Sequence, residues 1–201
     1  YESETKQWET VPLPMDDQDS LFCDTIDENE YYFNPIDPPD GSYNHKPFSV
    51  YVIEDTIWVG TAGGVNKGLF QSDGCINWTH YYMEKGLGGN WVIGIIPQEF
   101  DDYTRLWLIS WILPDAPHPL TYTDDGGQTW QQVTQLKEQG IIVYNLSFSS
   151  KYIIASTDHG LYYSDIYDGK FWMKMPITSD ISGERILSDK YYTTISIGDG
   201  E

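Results

Sequence analysis

Basic residues are scarce in this chain. Eleven Lys and Arg stand against 31 Asp and Glu, a formal charge of −20. A surface this acidic repels phosphate backbones and anionic headgroups, so neither nucleic acid nor an anionic membrane is an expected partner. Only two cysteines occur, Cys23 and Cys75. They can form one bridge or remain two thiols, but make neither a disulfide scaffold nor a metal-site spacing. No apolar run approaches the ~18–20 residues a membrane-crossing helix needs, so membrane insertion is not expected. Helical periodicity is almost missing too; TQLKEQG (134–140) offers a turn or two at most. No G-x-S-x-G elbow, HExxH, CxxC or Gly-rich phosphate loop is present, and His45, His80, His118 and His159 are scattered. The first residue is Tyr1 and no signal peptide is visible, so the chain is expected to be mature, processed or excised.

Aromatic residues, in contrast, are plentiful: 16 Tyr and 8 Trp among 201 residues, a β-type composition rather than that of a disordered acidic tail. The length suits one sizeable core. The chain also repeats itself. IWVGTAGGV (57–65), IIASTDHGL (153–161) and TTISIGDGE (193–201) are β-branched runs passing through a small residue to a turn, with Gly64, Gly160 and Gly200 in register. Upstream of each lies another short strand: SVYVIED (49–55), YNLSFSS (144–150) and ERILSDK (184–190). A more divergent unit pairs WVIGIIPQ (91–98) with RLWLISWI (105–112). Trp78, Trp130 and Trp172 follow at the far side of a hairpin, 52 and 42 residues apart. A period of ~40–50 residues with about four strands per unit predicts an all-β fold, a partial or small β-propeller of four-stranded antiparallel blades. The expected blades are 48–83, 90–133 and 143–176, with 184–201 incomplete. Residues 1–12 should be an outer strand and 13–47 an irregular acidic, Pro-rich insertion.

Residues 123–130 read TDDGGQTW, a turn between two strand-like segments. Asp125 can accept hydrogen bonds from its own turn's amides, Gly126 and Gly127 supply positive φ, and Trp130 can fold beneath as a plug. Thr123-x-Asp125-x-Gly127-x-Thr129-Trp130 resembles the Asp-box, or BNR repeat, of sialidase-type propellers. QSDGCINW (71–78) is similar to a degraded copy that keeps Asp73 and Trp78, and YSDIYDGKFW (163–172) to a looser one. The likeness runs over about residues 48–201, and IWVGTAGGVNK resembles blades of bacterial secreted or surface-attached proteins. In that family the Asp-box lies away from the ligand face, so the resemblance implies a structural role for it. A family sialidase needs three arginines, whereas only Arg105 and Arg185 are present, so that chemistry is disfavoured.

The resemblance and the lack of a recognisable catalytic site point to a non-catalytic extracellular or cell-surface binding or assembly module. Its partner would be a protein, a glycan, or the remaining blades of a larger chain. The alternative is a glycan-binding or glycoside hydrolase propeller using paired carboxylates, which 31 acids leave open. No cofactor is expected. Calcium stays possible because MDDQD (15–19), IDPPDG (36–41) and FDDY (100–103) place carboxylates in loops. Propellers bind through loops at the channel ends, which selects Asn66, Lys67, Trp111, His118, Asp158 and His159 as contact candidates. The head-to-tail junction of Gly200-Glu201 with Tyr1–Trp8 fits either an N-terminal strand closing the last blade or a slice of a longer propeller; the slice is favoured.

Overall fold

The computed structural model describes residues 10–25, 33–111, 120–186 and 190–195. The chain is all-β, with three antiparallel sheets and one short helix among the described residues. The first sheet contains β1 (Ser20–Leu21), β2 (Pro47–Ile53), β3 (Thr56–Thr61), β4 (Val65–Phe70) and β5 (Ile76–Tyr81), in the order β1-β5-β4-β3-β2. The second contains β6 (Trp91–Glu99), β7 (Thr104–Trp111), β8 (Leu120–Thr123) and β9 (Gln131–Gln132). After helix α1 (Thr134–Glu138) comes the third: β10 (Val143–Phe148), β11 (Tyr152–Thr157), β12 (Gly160–Asp165) and β13 (Met173–Lys174). From β2 onward, each sheet pairs its strands in chain order, as consecutive hairpins do.

The first sheet has five strands where four were expected. The extra strand comes from within the 13–47 insertion: Ser20 pairs with Thr79 and Leu21 with Trp78. A disulfide between Cys23 and Cys75 ties β1 to the turn before β5, and Asn77 Oδ1 accepts from the Cys23 amide at 3.0 Å. An edge that would otherwise expose unpaired amides and carbonyls is thereby covered. At the other end of the chain, residues 184–186 and 190–195 contain no strand; Arg185 makes only an isolated bridge to Thr178. Tyr1–Trp8 and Gly200 lie outside the described residues, as does Tyr31-Tyr32.

Repeated local chemistry builds equivalent turns. Between β3 and β4, Thr61 Oγ1 donates to the Gly64 carbonyl at 3.1 Å and accepts from the Gly63 amide at 3.1 Å. Between β11 and β12, Thr157 Oγ1 donates to the Gly160 carbonyl at 2.7 Å and accepts from the His159 amide at 3.0 Å. Gly64 has φ +146° and would bring a Cβ within 2.1 Å of the Tyr81 carbonyl oxygen. A side chain there is excluded by both torsion and space.

The core follows from strand periodicity. β7 reads LWLI at 106–109, apolar on both faces, because its sheet is covered on both sides. Leu106 and Leu108 join Trp58, Val65, Leu87 and Val92 in the core shared with the first sheet. Trp107 and Ile109 face the other way, toward Leu146, Ile153 and Ala155 of the third sheet. All four β7 side chains are at most 4% exposed. Burying each aliphatic one stabilises the fold by roughly 1.5–3 kcal/mol. The sheets therefore stack face to face in chain order.

Candidate functional site

The turn at 123–130 is closed by its own polar side chains. Asp125 Oδ1 accepts from the Thr123 hydroxyl at 2.8 Å and the Thr129 amide at 2.9 Å, and Oδ2 accepts from the Thr129 hydroxyl at 2.6 Å. Thr123 Oγ1 in turn accepts from the Gly127 amide at 2.8 Å. Slight burial works against the Asp125 charge, but the Thr129 and Thr123 hydrogen bonds outweigh it and lower the pKa to about 2. Trp130 packs on the preceding sheet, edge-on to Trp58 at 6.2 Å and beside Tyr81 at 5.5 Å. Lys67 lies 5.4 Å over the Trp58 ring and donates to the Gly126 carbonyl at 2.8 Å. The acidic turn is a clasp between two sheets.

The next interface repeats that clasp. Trp172 meets Trp107 edge-on at 6.4 Å, as Trp130 meets Trp58. Gly169 lies where a Cβ would fall 2.6 Å from Trp107, as one on Gly127 would fall 3.0 Å from Trp58. The cation here is Arg105. Its Nε and Nη2 donate to Asp124 Oδ1 and Oδ2 at 2.6 and 3.0 Å, and Nη1 donates to the Tyr167 and Asp168 carbonyls at 3.3 and 3.4 Å. The guanidinium carbon sits 4.4 Å from the Tyr122 ring centre. Burial opposes its charge, but Asp124 more than offsets this and the pKa is raised. In QSDGCINW, Asp73 Oδ1 accepts from the Cys75 amide at 3.1 Å, while Trp78 is buried under Leu13 and Val59.

The residues selected from sequence as a contact surface are spread over three sheets. Asn66 is fully buried, exchanging hydrogen bonds with Asn44 at 2.8 and 2.9 Å. Lys67, on the opposite face of β4, is held by the 123–130 turn. Asp158 Oδ1 accepts from the Ile142 amide at 2.8 Å and pairs with His159 Nδ1 at 2.9 Å. Trp111, at the end of β7, is 59% exposed. His118 lies outside the described residues.

Two of the three loops read as calcium candidates, 15–19 and 36–41, have carboxylates with other work. Asp16 accepts from Ser42 Oγ and from the Tyr43 and Asn44 amides at 2.7–3.0 Å, Asp19 from the Tyr82 hydroxyl at 2.8 Å, and Asp37 pairs with Lys46. No group of three or more His, Cys, Asp or Glu placed to hold a metal occurs among the described residues. Together with Asn44, Thr61, Asn66 and His80, Asp16 docks the insertion on the first sheet. His80, fully buried, faces the Gln18 and Gly63 carbonyls at 3.0 and 3.2 Å. Burial pushes its pKa down, against the pull of those carbonyls.

One cavity is built around FDDY (100–103), which the sequence offered only as a calcium candidate. At the strand ends nearest the Arg105 clasp, a cavity of about 440 Å³ opens between the β6–β7 hairpin and the turns of the third sheet. Phe100 is stacked between partners, 4.7 Å from Tyr103 and 5.6 Å from Tyr167. Phe148 and Ile166 extend the apolar lining, and Glu99, Asp101 and Asp102 supply its carboxylates. Gln98 stitches the walls together: it accepts from Trp107 Nε1 at 2.8 Å and donates to the Ile166 carbonyl at 2.6 Å. FDDY carries these residues in one short hairpin. Its partner Tyr167 lies more than 60 residues away, so no local pattern announces the cavity.

Fold and site together define an all-β, disulfide-bonded chain with a preformed aromatic and acidic cleft. Neither a family model nor a curated protein matches the sequence. Similar solved structures include two of the extracellular domain of a B. thetaiotaomicron protein, described once as a hybrid two-component and once as a one-component system. Identity is 14% in each case, with TM-scores of 0.39 and 0.36, over 72% and 71% of this chain. The chain spans about a quarter of their length, 24% in both. Among the described residues, no helix is long and apolar enough to cross a membrane.

Proposed function

We propose that the three sheets are consecutive blades of a β-propeller, with 123–130 its Asp-box, serving as a non-catalytic binding or assembly module of a bacterial secreted or cell-surface protein. The observation that carries this reading is the repeated clasp. Trp130 meets Trp58 and Trp172 meets Trp107 in the same edge-on geometry, each joining a sheet to the one before it. A periodic interface of this kind is what radial repetition produces. The Cys23–Cys75 disulfide supports an extracellular setting, since such bonds persist in oxidising compartments. Arg105 supports a non-catalytic role: its guanidinium is committed to Asp124 and two carbonyls, so it is not free to hold a substrate carboxylate.

A crystal structure of the full natural protein tests the architecture. Sheets radiating about a common axis are expected; a closed barrel or a two-sheet sandwich would refute it. Reducing-end assays on a polysaccharide panel test the role. Hydrolysis abolished by a single Asp→Asn or Glu→Gln change would replace the binding reading with a glycoside hydrolase.

A further inference from the structure

Resting on the propeller reading, we propose that Val50 and Val52 form half of a ring-closing seam, where the open face of the first sheet receives a further blade of the same chain, outside β1–β13. Strand register makes the comparison direct. Val50 pairs with Val59 and Val52 with Ile57, on either side of Trp58. With Trp58, Trp107 and Ile154 as equivalents, the same two places hold Ile95 and Pro97 in the second sheet and Leu146 and Phe148 in the third. Ile95 packs into the core shared with the first sheet, and Leu146 and Phe148 into the core shared with the second. Val50 and Val52 are instead 63% and 54% exposed. Tyr51 and Ile53 face the other way, so β2 is apolar on both sides, the pattern of a strand meant to be covered on both.

What covers that face follows from how the sheets stack. Ser49 Oγ, on the forward face of the first sheet, donates to the Val92 carbonyl of the second at 3.5 Å. Asn145 holds the place of Ser49 in the third sheet. Its Nδ2 donates onward to Thr193 Oγ1 and the Thr194 carbonyl at 3.1 and 3.2 Å, and the Tyr191 amide donates to the Thr157 carbonyl at 2.9 Å. The stack therefore continues past the third sheet in the same sense. Radial stacking returns to its start, and the face it returns to is the back of the first sheet.

This seam is built differently from the two internal interfaces. Blades diverge away from the axis, so the gap between neighbours widens toward the outer strands. At the internal interfaces Trp130 and Trp172 fill it. Behind the first sheet the insertion fills it: Leu13 packs with Val59 and Trp78, and Leu21 extends that cluster. Trp78 is buried there and does not reach a neighbouring sheet as the other two tryptophans do. The insertion takes the place of the clasp, and the inner strip at Val50 and Val52 remains for the closing blade.

Both cysteines are held in the disulfide, so a cysteine placed on the seam is readily followed. The test is the rate of maleimide labelling of Val50→Cys in the full natural protein, with the unsubstituted protein as background. Asp55→Cys, on the exposed β2–β3 turn, is the reference, and Val52→Cys is an independent second seam position; circular dichroism checks that each variant is folded. Labelling at 50 and 52 should be at least roughly tenfold slower than at 55, unchanged by dilution, and equal to it in urea. Comparable native rates at 50 and 55 would leave the face open and overturn the proposal. Protection that disappears on dilution would put a second copy of the chain there and overturn it as well. The blade reading fails separately, on barrel or sandwich geometry in the crystal structure, whereas an open arc of blades with fast labelling refutes the seam alone.

Discussion

Arg105→Met is the most informative single perturbation. The side chain is 5% exposed and joins three things: Asp124 on its own sheet, the Tyr167 and Asp168 carbonyls of the next, and the Tyr122, Trp107 and Phe100 rings. Methionine preserves much of the stem's packing but removes the charge and the donors. Asp124 is 40% exposed and can be rehydrated, so the loss falls short of the full cost of a stranded buried charge. Two charge-assisted hydrogen bonds and the cation–π contacts together give about 3 kcal/mol. For a chain of this size that corresponds to a Tm lower by roughly 6–12 °C. Arg105→Lys should recover little of it, because an ammonium cannot form the two parallel bonds to Asp124. Urea denaturation and calorimetry on the two variants, with Asp124→Asn to complete a double-mutant cycle, measure this directly. A loss under about 1 kcal/mol for Arg105→Met, or full rescue by lysine, would refute the view that this guanidinium locks the second and third sheets.

Three further expectations follow from the same geometry. Reducing Cys23–Cys75, which closes a loop of 52-residue separation, should cost about 4 kcal/mol on a chain-entropy basis, read as a lower urea midpoint in dithiothreitol. Asp125, with its pKa lowered from 3.8 to about 2, contributes stability that is present above pH 3.8 and lost as pH falls through 2. Asp125→Asn should flatten acid denaturation in that window. His80 has its pKa lowered from 6.5 chiefly by burial, so below pH 6.5 the unfolded chain takes up a proton that the folded chain resists, and stability falls as pH drops. Proton NMR titration of the His80 ring should show a midpoint below 6.5; one above it would contradict the sign.

The sequence by itself determined much of the local structure. β-branched and aromatic runs marked the strands, and glycines in register marked the turns that end at Gly64 and Gly160, because backbone torsion acts over a few residues. The apolar faces of LWLI at 106–109 likewise announced a strand covered on both sides. Tertiary structure decided the rest. Trp130 could be recognised as a hydrophobic residue beside a turn, but its place against Trp58 depends on how sheets far apart in the chain meet. Asn66 reads as a polar loop-end residue until the insertion's Asn44 arrives to bury it. Whether Cys23 and Cys75 pair was open on composition; β1 docking on β5 brings them together. The cleft belongs to this second group: its carboxylates come from one hairpin and its outer ring, Tyr167, from another sheet. Burial, charge compensation and aromatic stacking are properties of neighbours in space, and only the folded chain chooses those neighbours.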